Sequence, residues 1–246
     1  MERPAVLVIG GGRRMGRAIC LEFARRGYDV AVNARTSAPE VAQTVALVEA
    51  EGARAVAAMG DATVPEAAEG AVDATIRAFG RLDAMVYCAG QRNHDRIADI
   101  EPAAWKAALS SVLDGILFTT KYAAPHLARQ GGAIVLISGA SAFVGNPAPA
   151  VPTAKLGMVG FARSAAIDLG PRGVRVNVLS PGRIEAPGDA PDYLERLRKG
   201  RPDDGIPLRR AGTTEEVARV AACLAGPDFS YVTGQVIHVN GGFYLG

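Results

Sequence analysis

The chain has 246 residues, of which 49% are hydrophobic, so it can bury a large core, and we expect a single domain over residues 1–246. Its 27 lysines and arginines nearly balance its 25 acidic residues, which leaves a formal net charge of +2. This balance excludes the strongly basic surface of a typical nucleic-acid-binding protein, so we expect no nucleic acid partner.

Cysteine usage and the N-terminal sequence predict the compartment. Cys20, Cys88 and Cys223 are far apart and none lies in a C-x-x-C pair, so the sequence indicates neither a disulfide framework nor a zinc site. The first residues enter an apolar strand without the features of a secretory signal, and no stretch reaches the roughly 20 apolar residues of a membrane span. We expect a soluble cytoplasmic protein with no membrane partner.

Short apolar runs alternate with longer helical patterns along the chain. The runs predict strands at 5–9, 29–33, 54–59, 82–88, 133–138, 174–179 and 235–239. The intervening segments predict helices near 16–26, 39–51, 65–79, 102–130, 153–169 and 214–225. Because the strands are nearly continuous apolar runs, the pattern indicates a parallel sheet buried on both faces. The predicted fold class is α/β, a single-domain, doubly wound Rossmann fold with a seven-stranded parallel sheet.

Two segments rich in glycine and proline, 139–155 and 180–212, interrupt this alternation, and both follow predicted strands. Ligands of open α/β sheets bind beyond the carboxyl ends of the strands. We therefore expect these segments to form the walls of a ligand site, with a mobile lid at about 183–212. The alternative is that they are ordinary surface loops.

A glycine-rich turn, VLVIGGGRRMGRAI (6–19), joins the first predicted strand to the first helix. Glycines let the backbone approach a pyrophosphate, and the helix N-terminus contributes partial positive charge. This predicts a dinucleotide site at Gly10, Arg13, Arg14, Met15 and Gly16. A packing turn, another nucleotide site or a methyl-donor site would have a similar sequence.

The end of the second predicted strand distinguishes NAD from NADP. An acidic residue there would bind the ribose hydroxyls of NAD, but the chain reads Asn33, Ala34, Arg35 and Thr36. Arg35 can bind a 2′-phosphate, with Thr36 beside it. We therefore predict NADP(H) as the cofactor.

Together these segments resemble the short-chain dehydrogenase/reductase family, and the resemblance covers essentially the whole chain. It is carried by the glycine turn, with Ile9 for the usual threonine and Arg14 for the middle glycine, and by FGRLDAMVYCAG (79–90), GPRGVRVNVLSPGRIEAP (170–187) and GTTEEVARVAACLAGPDFSYVTGQVIHVNGG (212–242). The resemblance implies further cofactor contacts at Asp61, Ala62, Cys88, Ala89, Gly90, Lys155, Pro181, Gly182 and Ile184.

The catalytic set departs from the family pattern. Family members bind the substrate carbonyl with a serine and a tyrosine, and the lysine four residues after the tyrosine lowers its pKa. Lys155 is present, but the tyrosine position holds Val151, or Pro152 in a shifted alignment. The family's helix asparagine corresponds to Val112. For the serine, Ser138 has suitable spacing, whereas the strand alignment gives Gly139 with Ser141 nearby.

A carbonyl reductase built this way needs another proton donor. We consider His94, Tyr193 and Glu185, each of which could instead make only solvent or loop contacts. Tyr87 is a further candidate, although the family comparison favours a side chain packed against the sheet. We expect His126 and His238 to be structural.

These observations leave two main hypotheses. The first is an NADPH-dependent reductase of a small-molecule C=N or C=O group, because an iminium becomes a neutral amine on accepting hydride and needs no acid. The second is a catalytically inactive NADP(H)-binding scaffold or regulatory subunit. A methyl-donor enzyme is disfavoured by the C-terminal strand. The resemblance also implies a homo-oligomer, a tetramer or dimer, formed through helices 102–130 and 153–169 and the C-terminal strand.

Overall fold

The computed structural model describes residues 3–91, 93–187, 189–200 and 202–246. The elements in chain order are β1 (Ala5–Ile9), α1 (Arg14–Arg25), β2 (Asp29–Asn33), α2 (Ala38–Ala50), β3 (Ala55–Ala57), α3 (Pro65–Phe79), β4 (Ala84–Tyr87), α4 (Pro102–Ala128), β5 (Ala133–Ile137), α5 (Ser141–Val144), α6 (Ala150–Leu169), β6 (Arg175–Pro181), β7 (Ile184–Glu185), α7 (Pro191–Gly200), β8 (Gly212–Thr213), α8 (Thr214–Ala225) and β9 (Val236–Val239). In this part of the chain, no helix is both long enough and apolar enough to span a bilayer.

Seven strands form one parallel sheet in the order β3-β2-β1-β4-β5-β6-β9. This confirms the predicted α/β class and the seven-stranded parallel sheet. The chain runs outward from β1 to β3 and then returns to place β4 on the other side of β1. The carboxyl ends of β1 and β4 therefore lie at the point where the strand order reverses, and a crevice for a ligand opens at such a point.

The two faces of the sheet carry separate layers of helices. On one face, Leu7 and Met85 belong to a core shared with α3, α4 and α6. On the other, Val8 and Val86 pack with α1, α2 and α8. Strands that are covered on both faces have no solvent-facing side, which explains why their sequences are nearly continuous apolar runs.

The predicted boundaries need small corrections. The helix expected at 153–169 begins at Ala150, because Pro152 lies in its first turn, where a missing backbone N–H costs nothing. The helix expected at 102–130 ends at Ala128. The short helix α5, the helix α7 and the two-residue strands β7 and β8 were not predicted. β7 and β8 pair with each other and tie the start of the segment 183–212 to its end.

Candidate functional site

The glycine turn brings α1 against the carboxyl ends of β1 and β4. Gly10 has φ +80°, and a Cβ there would lie 2.9 Å from the Ala89 nitrogen. A Cβ on Gly16 would lie 2.0 Å from the Gly10 carbonyl oxygen. Both positions therefore require glycine, and the close backbone approach leaves a cradle at the N-terminus of α1. Arg13, at the N-cap position, makes no side-chain cap hydrogen bond, so the first N–H groups of α1 suit an anion.

Arg14 occupies the position of the middle glycine in an unusual backbone conformation. Its φ is +51°, in the left-handed region that glycine prefers. Its guanidinium forms an ion pair with the carboxylate of Asp189, whose side chain is buried. Arg13 is exposed beside it, and Met15 packs on the edge of the core.

Arg35, Thr36 and Asp61 lie beyond the ends of β2 and β3. The Arg35 side chain is 61% exposed, and its Nη1 lies 3.7 Å from Oδ2 of Asp61. Burial opposes ionisation of Asp61, but hydrogen bonds from Thr63 and the charge of Arg35 outweigh it and lower the pKa of this carboxyl. Thr36 is exposed and Ala62 is buried. A cation and an anion therefore stand together at this end of the crevice.

Lys155 lies one turn into α6 and points back to the sheet. Its Nζ donates a hydrogen bond of 2.6 Å to the carbonyl oxygen of Ile137, at the end of β5. Burial lowers the pKa of Lys155 to about 8, although the neighbouring Cys88 thiol opposes this shift. Burial also raises the pKa of Cys88 to about 11. The structure thus brings a lysine with a lowered pKa to the neighbouring ends of β4 and β5.

Gly90 and Val112 complete the surroundings of Lys155. A Cβ on Gly90 would lie 3.7 Å from the Lys155 Nζ and 3.4 Å from Cγ2 of Val112. The position that the resemblance assigns to an asparagine therefore lies beside the lysine region and presents a buried methyl group.

The serine candidates lie together at the end of β5. The Ser138 hydroxyl donates a hydrogen bond of 3.0 Å to the backbone oxygen of Lys155, and the residue is 7% exposed. Ser138 therefore fastens β5 to α6. A Cβ on Gly139 would lie 3.8 Å from Oγ of Ser141, so the two alternatives are neighbours.

Val151 and Pro152 both lie in the first turn of α6, ahead of Lys155. Around a helix, positions four apart differ by about 40° and positions three apart by about 60°. Val151 is thus closer to the Lys155 face than Pro152 is. Both side chains are partly buried and neither carries a hydroxyl.

The turn after β6 forms the opposite wall. The Gly182 N–H donates to the Val239 oxygen at 2.9 Å, and a Cβ on Gly182 would lie 2.7 Å from Cα of Asn240. The Pro181 oxygen accepts a 2.8 Å hydrogen bond from the Ala140 N–H. Ile184 then starts β7. The turn is therefore held against both the β5 and the β9 ends.

Two of the candidate replacement acids lie on different segments. His94 is exposed in the loop after β4, and the Tyr193 side chain lies outside the described residues. Glu185 is 3.4 Å from Arg198 and 3.9 Å from Arg183 in an ion-pair network. Of the three, Glu185 is thus engaged within the segment 183–212.

Other predicted positions have structural roles. The Tyr87 hydroxyl donates a 2.7 Å hydrogen bond to the Ser111 oxygen and packs on Gly115, so the expectation that it points into the sheet packing is confirmed. His238 packs against the rings of Phe143 and Tyr244, and burial lowers its pKa. Among the described residues, no group of His, Cys, Asp and Glu could hold a metal ion.

Sequence reasoning missed Asp189 and Arg183. The buried carboxylate of Asp189 pairs with Arg14, and the buried guanidinium of Arg183 pairs with Asp203. Their loop positions gave no periodic signal, and only the folded chain brings the partners together.

The chain resembles known reductases and dehydrogenases over nearly its full length. Residues 11–244 match a family model described as Enoyl-(Acyl carrier protein) reductase. The 3-oxoacyl-(acyl-carrier-protein) reductase FabG of Staphylococcus aureus is 34% identical over 98% of this chain and 98% of its own. The L-rhamnose 1-dehydrogenase (NAD(P)(+)) of a Sphingomonas strain is also 34% identical, over 100% of this chain and 98% of its own.

Solved structures share the fold closely. A short-chain type dehydrogenase/reductase from Mycobacterium ulcerans superposes with a TM-score of 0.91 and 30% identity, covering 99% of this chain and 90% of the other. A short chain dehydrogenase from Burkholderia cenocepacia, solved in complex with NADP, gives a TM-score of 0.87 and 30% identity over 98% and 96% of the two chains.

Proposed function

Since the chain belongs to the short-chain dehydrogenase/reductase family, we propose that it is an NADP(H)-dependent reductase that acts on a small-molecule C=N or C=O group without the family's catalytic tyrosine. The observation that carries this proposal is the partly buried Lys155 ammonium, which bonds Ile137 at the end of β5, with Val151 four residues ahead of Lys155. The cofactor would supply a hydride.

The cofactor assignment draws on the residues of the crevice. The cradle at Gly10 and Gly16 fits a pyrophosphate, and the exposed guanidinium of Arg35 suits a 2′-phosphate. Asp61, whose carboxyl stays ionised, would accept a hydrogen bond from the adenine amino group. The NADP complex of the Burkholderia cenocepacia structure supports NADP(H) as a cofactor for this fold.

The remaining crevice residues have narrower roles. Ala62 and Thr36 would line the adenosine end, while Ala89 and Gly90 would line the nicotinamide end together with Pro181, Gly182 and Ile184. Arg13 and Met15 would flank the pyrophosphate. Lys155 would hold the nicotinamide ribose with its ammonium, as family members do.

The substrate class follows from the acid chemistry around Lys155. Reduction of a carbonyl develops negative charge on oxygen, which a positioned proton donor must neutralise. The Ser138 hydroxyl already donates to the Lys155 backbone oxygen, and Val151 and Val112 carry no proton to give. An iminium loses its positive charge as it accepts hydride, so this arrangement favours C=N over C=O. His94, Tyr193 and Glu185 remain the candidates if carbonyls are reduced.

An NADP(H)-binding protein without turnover is the second candidate. It is favoured by the two apolar side chains, Val112 and Val151, at positions where the family uses polar ones. Binding and turnover distinguish the candidates. Titration of purified protein with NADPH, followed by cofactor fluorescence, should give saturable binding that Lys155→Ala weakens. Binding without consumption of NADPH by any ketone or imine would support the second candidate, and equal affinity in the variant would refute the ribose role of Lys155.

We further propose that the protein is a cytoplasmic homo-oligomer. A groove between α4 and α6 is lined by Leu117, Ala124 and Phe161, and Leu117 is 49% exposed. A second copy of the chain would cover these side chains. The three cysteines are free thiols, which suits a reducing compartment.

A further inference from the structure

We propose that Arg14 and Asp189 are a positioning pair that fastens the segment after β7 over the pyrophosphate of the cofactor. The inference rests on the proposed function for the location of the pyrophosphate, but the ion pair itself is independent of it. It adds a link between cofactor binding and the segment 183–212, which would cover the substrate.

Arg14 adopts a disfavoured backbone conformation. Its φ of +51° is disfavoured for a residue with a Cβ, and glycine would adopt it freely. The chain therefore keeps a long cationic side chain at a conformational cost. The contacts of this side chain offset the cost, and the buried carboxylate of Asp189 is one of its partners.

Asp189 is a buried carboxylate. Its side chain is only 1% exposed, although the residue lies in an irregular segment. One carboxylate oxygen accepts a 2.8 Å hydrogen bond from the Ala186 N–H, and the other faces Arg14. A buried carboxylate needs a cation, because removal of the cation leaves an uncompensated charge. Asp189 thus holds its own loop together and holds that loop to the glycine turn.

The position of Arg14 on α1 links this pair to the cofactor. Arg14 is the first residue of α1, at the helix end that forms the pyrophosphate cradle. A guanidinium presents five donors in a planar fork, so one edge can hold a carboxylate while another holds a phosphate oxygen. Cofactor and loop would then share one cation. Each would stabilise the bound state of the other, because such coupling is reciprocal.

Hydrogen–deuterium exchange of peptides covering residues 184–200, with and without NADPH, tests the pair directly. In the cofactor-free protein, Asp189→Asn and Arg14→Met should both speed exchange there, whereas NADPH should slow it in the wild type and much less in either variant. Glu195→Gln is the matched control, since it makes the same acid-to-amide change in α7 on an exposed pair with Lys199. Wild-type exchange rates in Asp189→Asn, or faster exchange on adding NADPH to the wild type, would overturn the proposal.

A double-variant cycle separates positioning from general destabilisation. Asp189→Asn should weaken NADPH binding about tenfold, within the range of typical coupling factors, because Asp189 reaches the cofactor through Arg14. The double variant Arg14→Met/Asp189→Asn should then bind no more weakly than Arg14→Met alone. Full additivity of the two losses in NADPH affinity would contradict the inference. If Asp189→Asn fails to fold, Arg14→Lys is the second variant, and it should keep part of the coupling between NADPH binding and the exchange of residues 184–200. If the wild type binds no NADPH, the proposed function fails, while faster exchange in the cofactor-free variants would still establish the ion pair.

Discussion

Arg35→Ala should convert a preference for NADPH into near indifference between NADPH and NADH. Hydrogen bonds to charged groups contribute about 1.5–3 kcal/mol. The Arg35 side chain is 61% exposed, so solvent screening reduces this contribution to about 1–2 kcal/mol. Little is lost elsewhere, because the 3.7 Å separation from Asp61 is longer than a hydrogen bond. NADPH binding should therefore weaken roughly 5- to 30-fold, at about 1.4 kcal/mol for each factor of ten.

Paired titrations with NADPH and NADH, followed by cofactor fluorescence, measure this effect within a single variant. NADH affinity should hardly change, because NADH lacks the 2′-phosphate. As a control, Arg77→Ala removes an arginine of similar exposure near the C-terminal end of α3, where Arg77 pairs with Asp73. This variant should change neither the NADPH affinity nor the NADH affinity. Equal weakening of both cofactors by Arg35→Ala, or no change in either, would refute the assignment of Arg35 to the phosphate.

Three further predictions address the core, the lysine and the oligomer. Tyr87→Phe removes the hydrogen bond to Ser111 and should lower the free energy of unfolding by about 1–2 kcal/mol, seen as a Tm lower by a few degrees, while NADPH consumption persists. Lys155→Met should raise Tm relative to the wild type more at pH 7 than at pH 10.5. The partly buried ammonium has a pKa of about 8 against an ordinary 10.5, so its charge opposes folding fully below pH 8 and no longer opposes it above pH 10.5. A Tm difference that does not vary with pH would contradict this. Leu117→Glu should shift the oligomer toward monomers, measured as molar mass by light scattering after gel filtration. Tyr231→Glu, at a fully exposed site, should not change the mass. Equal masses for both variants would argue against the α4–α6 interface.

The sheet could be predicted because burial of the central strands on both faces removes ambiguity, although the edge strands β3 and β9 are only partly buried. Each of the seven strands is a short apolar run, and the longer helical patterns between them leave little choice except parallel crossovers. The short helix α5 lies in a segment rich in glycine and proline, and the charged sequence of α7 is flanked by prolines. The two-residue strands β7 and β8 pair only with each other, so local sequence carries no sign of them.

The site was less predictable than the fold, because its decisive contacts are tertiary. The glycine turn marks Gly10 and Gly16 by type, but the left-handed backbone of Arg14 and its partner Asp189 appear only in the folded chain. Ser138 illustrates the same difficulty. Its spacing to Lys155 suits a substrate contact, yet its hydroxyl bonds the Lys155 backbone.

The most direct test is NADPH consumption by the purified protein with matched ketones and stable cyclic imines over a range of pH. The proposal predicts turnover of imines in preference to ketones, together with a loss of activity in Lys155→Ala. Faster turnover of ketones than of imines would contradict the preference for C=N and direct the search for an acid to His94, Tyr193 and Glu185. Saturable NADPH binding without consumption by either substrate class would contradict the reductase proposal itself.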